Sequence, residues 1–179
     1  MRAKELFEKL NHYNDGTRTL FESIAVPEVN QALIDWNKHQ HNGVLIGGCA
    51  LSFYVRPRTT MDVDVLFLTD DSIPKEVSGF KRTRPSAFQH NKTHVEIELV
   101  TSLLIGISQE LTQKVFDTAM ISDNVKIASP SALVALKLHR FNRQDQADIE
   151  ELMNHYNIDL QDWPLSEKAK AHYEKVLTW

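Results

Sequence analysis

The sequence predicts an α/β fold, a short mixed β-sheet flanked by helices and followed by a helical C-terminal third. Short apolar or alternating runs, among them Val44-Leu45-Ile46 and Met61 to Leu68, have the length and patterning of strands. Between and after them, apolar residues recur at helical spacing. Composition is that of a globular chain: 179 residues, 42% hydrophobic and 25% charged, with only 6 Gly and 6 Pro. That excludes collagen, a disordered tail and a low-complexity linker. No internal repeat or polar linker divides the chain. One domain over 1–179 is therefore expected, with a core at about 43–128 and a helical part at about 129–179.

In chain order, Leu6, Phe7, Leu10 and Tyr13 place a helix over Arg2 to Tyr13, stopped by Asn14-Asp15-Gly16. Pro27 suits the first position of a second helix, because its missing N–H would be unpaired there anyway. Val44-Leu45-Ile46 reads as a buried strand ending in Gly47-Gly48, and Ala50 to Tyr54 as a helix. After Arg56-Pro57-Arg58, Met61 to Leu68 is a second strand. Phe88 to His90 and His94 to Thr101 read as two more, joined by a turn at Asn91-Lys92. Glu110 to Ala119 is helical, and Val125 to Ile127 a short last strand. Ser129-Pro130 combines an N-cap residue with a first-turn proline, so a helix starts there. Further helices are expected over Gln144 to Asn154 and Ser166 to Thr178.

Charge and cysteine content narrow the function classes. With 20 Lys+Arg against 24 Asp+Glu the net charge is −4, which argues against a protein held to nucleic acid by a broadly basic face. A single cysteine, Cys49, excludes an intrachain disulfide framework and any multi-Cys zinc site. The apolar runs are far short of a bilayer span, and Glu5, Glu8 and Lys9 interrupt what a signal peptide would need. A cytoplasmic chain without membrane attachment is expected.

The chemistry concentrates in Gly47-Gly48-x-Ala50 followed by Arg58-x-Thr60-x-Asp62-x-Asp64. Residues two apart in a strand share a face. Asp62 and Asp64 therefore project together from a strand otherwise built of Met61, Val63, Val65, Leu66 and Phe67. Adjacent carboxylates repel, and a divalent cation relieves that. Mg²⁺, with Mn²⁺ as its substitute, is typically shared between one or two carboxylates and substrate phosphates. His94-Val95-Glu96-Ile97-Glu98-Leu99-Val100 repeats the device. If that strand pairs beside the first, Glu96 or Glu98 brings a third acid to the same metal, and three acids on two adjacent strands could hold the two ions that align an in-line phosphoryl displacement. Gly47-Gly48 stands at a strand-to-helix junction, where backbone N–H groups can meet phosphate oxygens. It is not a Walker loop, because no Gly-Lys-Ser/Thr follows.

Gly47-Gly48-x-Ala50-Leu51, Arg58-x-Thr60-x-Asp62-x-Asp64 and the acid of Ile97-Glu98-Leu99 together resemble the DNA polymerase β-type nucleotidyltransferase superfamily. Leu136-Lys137-Leu138 followed by Arg143-x-Asp145-x-x-Asp148-Ile149 is similar to the helical motif of its AbiEii-like branch, which includes toxins of abortive-infection and toxin–antitoxin systems. The resemblance spans about Val44 to Leu152. It implies a nucleotidyltransferase fold and Mg²⁺-dependent transfer of NMP from an NTP such as ATP. The acceptor would be a hydroxyl of a tRNA, a protein or a small molecule, and an antitoxin partner is implied too. It also implies Asp62, Asp64 and Glu98 as catalytic metal ligands, with Glu96 as the competing acid. Gly47, Gly48, Cys49, Arg58, Thr60, Lys137 and Asp145 would form the nucleotide side. Cys49 stands where the family often has Ser or Thr, and Glu98 where it usually has Asp. An alternative is a catalytically silent nucleotide-binding module that serves as a sensor or interaction protein.

Other features read more plainly. Asp145 and Asp148, three apart on a helix, can form a surface ion network with Arg143. Lys81, Arg82 and Arg84 with Phe80 and Phe88 form one compact basic cluster, read as a solvated loop or as a contact to a nucleic-acid acceptor. His94-x-Glu96 lacks the Pro-Cys-x-x-Cys of a zinc deaminase. No Gly-x-Ser-x-Gly supports a hydrolase.

Overall fold

The computed structural model describes residues 17–39, 41–55 and 59–179. The expected helix over Arg2 to Tyr13 and the residue Arg58 lie outside them. The fold is α/β: a seven-stranded mixed sheet flanked by helices, with helices at the C-terminus. Among the described residues no helix is long and apolar enough to cross a membrane.

After a short helix α1 (Leu20–Ser23), α2 (Pro27–Asn37) begins on its proline and buries Val29, Ala32, Leu33 and Trp36. Strand β1 (Val44–Ile46) runs straight into α3 (Gly47–Tyr54), and β2 (Asp62–Leu66) follows. Then come β3 (Phe80–Arg84), β4 (Ala87–His90) and β5 (Glu96–Val100). A single turn of helix, α4 (Ser102–Ile105), precedes α5 (Gln109–Asp117), β6 (Met120–Ser122) and β7 (Val125–Ile127). The chain ends in α6 (Pro130–Arg140), α7 (Arg143–His155) and α8 (Glu167–Val176). Ser129 caps α6 by accepting from the Ala132 N–H, as the Ser-Pro pair predicts.

The strand order is β3-β4-β5-β2-β1-β7-β6. β2 is parallel to β5 and antiparallel to β1. Registers Leu45↔Val65 and Val63↔Ile97 put Leu45, Val63, Val65, Ile97 and Leu99 on one face, all buried. The other face carries Asp62, Asp64 and Leu66 on β2, and Glu96, Glu98 and Val100 on β5. It is thus acidic where these two strands begin and apolar where they end. Leu66 and Val100 at the apolar end are buried, whereas Asp62 is exposed and the other three acids are partly so; covering unpaired carboxylates would cost several kcal/mol per ion.

Two strands depart from expectation. Phe80-Lys81-Arg82-Thr83-Arg84 is not a loop but the edge strand β3, paired to β4. Only Phe80 is buried in it, so the alternation that marks a half-buried strand is missing, and its charges suit an exposed edge. β6 (Met120–Ser122) pairs with β7 as the opposite edge and shows no pattern either, since none of its three residues is buried.

Candidate active site

Parallel pairing of β2 with β5 aligns Asp62 with Glu96 and Asp64 with Glu98. The four acids form two adjacent rows on one face, and their surroundings separate them. Glu96 is taken up by β3: it pairs with Arg84 and accepts a hydrogen bond from the Thr83 hydroxyl at 3.4 Å. Glu98 has no such partner among the described residues and shares a pocket wall with Asp64. Burial, with the charges of Glu98 and Asp62 adding, pushes the Asp64 carboxyl up to about 6. Among the described residues no group of three or more His, Cys, Asp or Glu side chains is placed to hold a metal ion by itself, so the acids stand as an open row. Three oxygen-donor side chains that repel one another fit a hard cation completed by substrate phosphates better than a closed protein cage.

The glycine pair explains how Asp64 can lie against a helix start. Gly47 has φ +67°, and a Cβ there would fall 2.0 Å from Asp64 Oδ2. Only glycine both adopts that backbone without strain and leaves room for the carboxylate. A Cβ on Gly48 would press at 3.0 Å on the Thr60 hydroxyl. Thr60 in turn donates to the Asp62 carbonyl at 3.3 Å and accepts from the Asp62 N–H at 3.4 Å, bracing the start of β2. Ile46 provides no side-chain cap, so no side chain at the N-cap engages the first-turn N–H groups of α3.

The helical motif is a buried ion network. Lys137, on α6, reaches Asp148 Oδ2 at 2.5 Å and Asp145 Oδ1 at 3.5 Å. Arg140, one turn on, grips Asp145 through Nη2 at 2.8 Å and Nε at 3.2 Å. Asp145 also closes a capping box with Asn142 at the start of α7. Burial alone would raise the Asp145 carboxyl, but the Arg140 hydrogen bond and the charges of Lys137 and Arg140 hold it below its ordinary value. Asp145 and Asp148 are therefore not a surface network, and the cations paired with them among the described residues include Lys137 and Arg140. The sequence hid this because an aspartate at i+3 reads the same whether its helix face is wet or packed.

Two depressions meet at Asp64. A polar crevice of about 720 Å³ is lined by Gly47, Gly48, Thr60, Asp62, Asp64, Lys137, Arg140 and Asp148. A second pocket of about 500 Å³ is lined by Asp64, Ser86, Glu98, Lys137, His139 and Arg140 together with apolar residues, among them Leu99, Val100, Leu104, Ile107, Leu133 and Leu136. Both share Gly47, Asp64, Lys137 and Arg140. A larger cavity between α2, β1 and β7 opens on the opposite face and holds none of the four acids.

A row of carboxylates beside a glycine-started helix is the arrangement on which the sequence resemblance rested. The family model for nucleotidyltransferases of unknown function (DUF6036) matches residues 23–178. The chain belongs to that family. No curated protein matches it. The match reaches the level of nucleotidyltransferase and does not extend to the AbiEii-like branch.

In this DUF6036 chain the structure brings Gly47, Gly48, Thr60, Asp62, Asp64 and Lys137 to one crevice, with Glu98 next door. Cys49 and Asp145, expected on the nucleotide side, line neither depression. The Cys49 thiol is buried and donates to the Asp62 carbonyl at 3.4 Å; burial, then the Asp64 and Asp62 charges, push its ionisation up. Asp145 is buried beneath Arg140 and accepts two hydrogen bonds from it. Arg140 is the residue sequence reading missed. Its signal was present: a basic residue three positions after Lys137 falls on the same helix face.

Proposed function

We propose that this protein transfers NMP from an NTP to an acceptor hydroxyl with Mg²⁺ as cofactor and Mn²⁺ as its substitute. The observation that carries the reading is the parallel register Asp64↔Glu98 beside Gly47, which sets three acids of one face against an uncapped helix start. Asp62, Asp64 and Glu98 would hold the cation, which when bound supplies Lewis-acid activation of the phosphoryl oxygens and the attacking hydroxyl. Gly47 and Gly48 would offer backbone N–H groups to the phosphates. Arg140 and Lys137, each held by an aspartate, would counter the charge that develops on the leaving pyrophosphate without reorganising. Thr60 steadies the first acid through its backbone. A toxin role with a cognate antitoxin, and kinship to the AbiEii-like branch, belong to this reading.

The test is thermal unfolding with each NTP, with and without Mg²⁺, for wild type and Asp62→Asn/Asp64→Asn. A ligand at 100 times its Kd adds about 2.7 kcal/mol. At this length that is a rise of roughly 5–10 °C. A metal-dependent rise, lost in the double variant, is the expected outcome. No shift with any NTP overturns the reading.

A further inference from the structure

We propose that the cavity between α2, β1 and β7, on the face of the sheet opposite the acids, is a second ligand site for a flat aromatic molecule carrying one carboxylate. It goes beyond the nucleotidyltransferase reading and does not rest on it. The cavity measures about 740 Å³, within the range of about 300–1,000 Å³ usual for small-molecule sites. Leu45 and Val65, from the buried face of the sheet, line it. Its polar lining among the described residues is Asn37, Lys38, His41, Asn42, Asn124 and Lys126. No aspartate or glutamate joins them there. Two lysines without a carboxylate favour an anion, whereas the acid row across the sheet favours a cation.

The rim is set before a ligand arrives. Asp123 and Asn124 have φ of +52° and +62°, the paired left-handed conformation of a two-residue hairpin turn, here between β6 and β7. The Phe21 N–H donates to Asp123 Oδ2 at 3.0 Å and the Asn37 amide to the Asp123 carbonyl at 2.8 Å, tying that turn to α1 and α2. Asn124 is thereby held in place, which lowers the ordering cost of binding. Asn42 and Asn124 are exposed and make no side-chain hydrogen bond to another described residue, so their amide N–H groups are free to donate to a carboxylate. The rings of Trp36 and His41 lie 4.7 Å apart between centroids, and Phe21 adds a third ring to the lining. Burial, with the His39 charge adding, holds the His41 imidazole below its ordinary value, so at neutral pH it presents an uncharged ring. A flat aromatic body matches these rings. A phosphate ester fits less well, because Lys38 is already paired with Asp35 at 2.5 Å and a second negative charge would go unmet.

The test is calorimetric titration of the full chain, wild type and Asp62→Asn/Asp64→Asn, with indole-3-carboxylate, its neutral analogue indole-3-carboxamide, and cyclohexanecarboxylate. Side-chain amide and indole N–H signals are followed by NMR in parallel. Saturable binding of indole-3-carboxylate is expected, with shifts at Trp36 and Asn124, at least tenfold weaker binding of the two analogues, and equal affinity in the aspartate variant. Asn124→Gly keeps the left-handed turn and deletes the amide; it should weaken binding at least threefold with Tm unchanged. Ile34→Trp, which fills the cavity, should abolish binding. The proposal is overturned if the three compounds bind alike or not at all, or if Asn124→Gly binds like wild type. It is overturned too if binding is lost in Asp62→Asn/Asp64→Asn, which would place the compound at the acids. Failure of every NTP to bind leaves these titrations unaffected, so the two readings fail separately.

Discussion

At Asp64 stability and the proposed function pull in opposite directions. Its folded-state pKa of about 6 lies above the ordinary 3.8. The native state therefore holds its proton more tightly than the unfolded chain between those values, and stability falls as pH rises through that window. Asp64→Asn removes the charge and keeps the shape. With metal chelated at pH 7.5, the variant should be more stable than wild type by on the order of 2 kcal/mol, discounted for partial exposure. The advantage should vanish near pH 4, where the wild-type carboxyl is protonated; calorimetry at the two pH values decides, and a variant less stable at pH 7.5 than wild type contradicts the assignment. Asp145 has the opposite sign. Its depressed pKa adds stability above about pH 4 that is lost as pH falls through its lower folded value. Gly47 is the other sensitive residue: Gly47→Ala faces both a left-handed φ and the Asp64 carboxylate, and should lower stability by more than about 1 kcal/mol. An unchanged denaturation midpoint would show that the strand start yields easily.

Among the elements, the α6–α7 pair is joined by charge inside an apolar setting. Lys137, Asp145 and Asp148 are all buried, so removing one member takes a charged partner from another. Asp145→Ala should cost about 3–5 kcal/mol, or on the order of 10 °C in Tm. Lys137→Met with Asp148→Leu should cost far less together than the sum of the single changes, because the double variant removes both ends of one 2.5 Å ion pair. Denaturant titrations of the four proteins in the cycle measure this coupling, and simple additivity would argue against a buried network. At the β2–β5 pair, Glu98 and Glu96 share a face but not a fate. Glu98→Gln should lower transfer on the order of a hundredfold or more, about 2.7 kcal/mol. Glu96→Gln, which loses only an exposed pair with Arg84, should change stability by less than about 1 kcal/mol and leave transfer near wild type. Pyrophosphate release by both variants tests this, and the reverse order would make Glu96 the third acid.

For the whole molecule, what could be read from sequence and what could not divide along physical lines. Fold class, the central strands and the acid rows were legible because burial imposes a period on residue types: Val63 and Val65 alternate with Asp62 and Asp64 only where one face is packed. The edge strands β3 and β6 were illegible because solvent on their exposed side imposes no such period. Cys49 and Asp145 kept their predicted places along the chain but not their predicted surroundings, since a motif fixes spacing and says nothing of which way a side chain turns. The sequence by itself determined an α/β chain with two acidic strands, a glycine-started helix and a Ser-Pro helix start, because these are local patterns of period, cap and turn. Tertiary structure alone decided that β2 lies parallel beside β5, that Arg84 claims Glu96 and leaves Glu98 open, and that Lys137 and Arg140 are anchored behind Asp64. Each of those depends on which segments meet across long stretches of chain, and strand pairing and burial settle that only once the sheet is assembled.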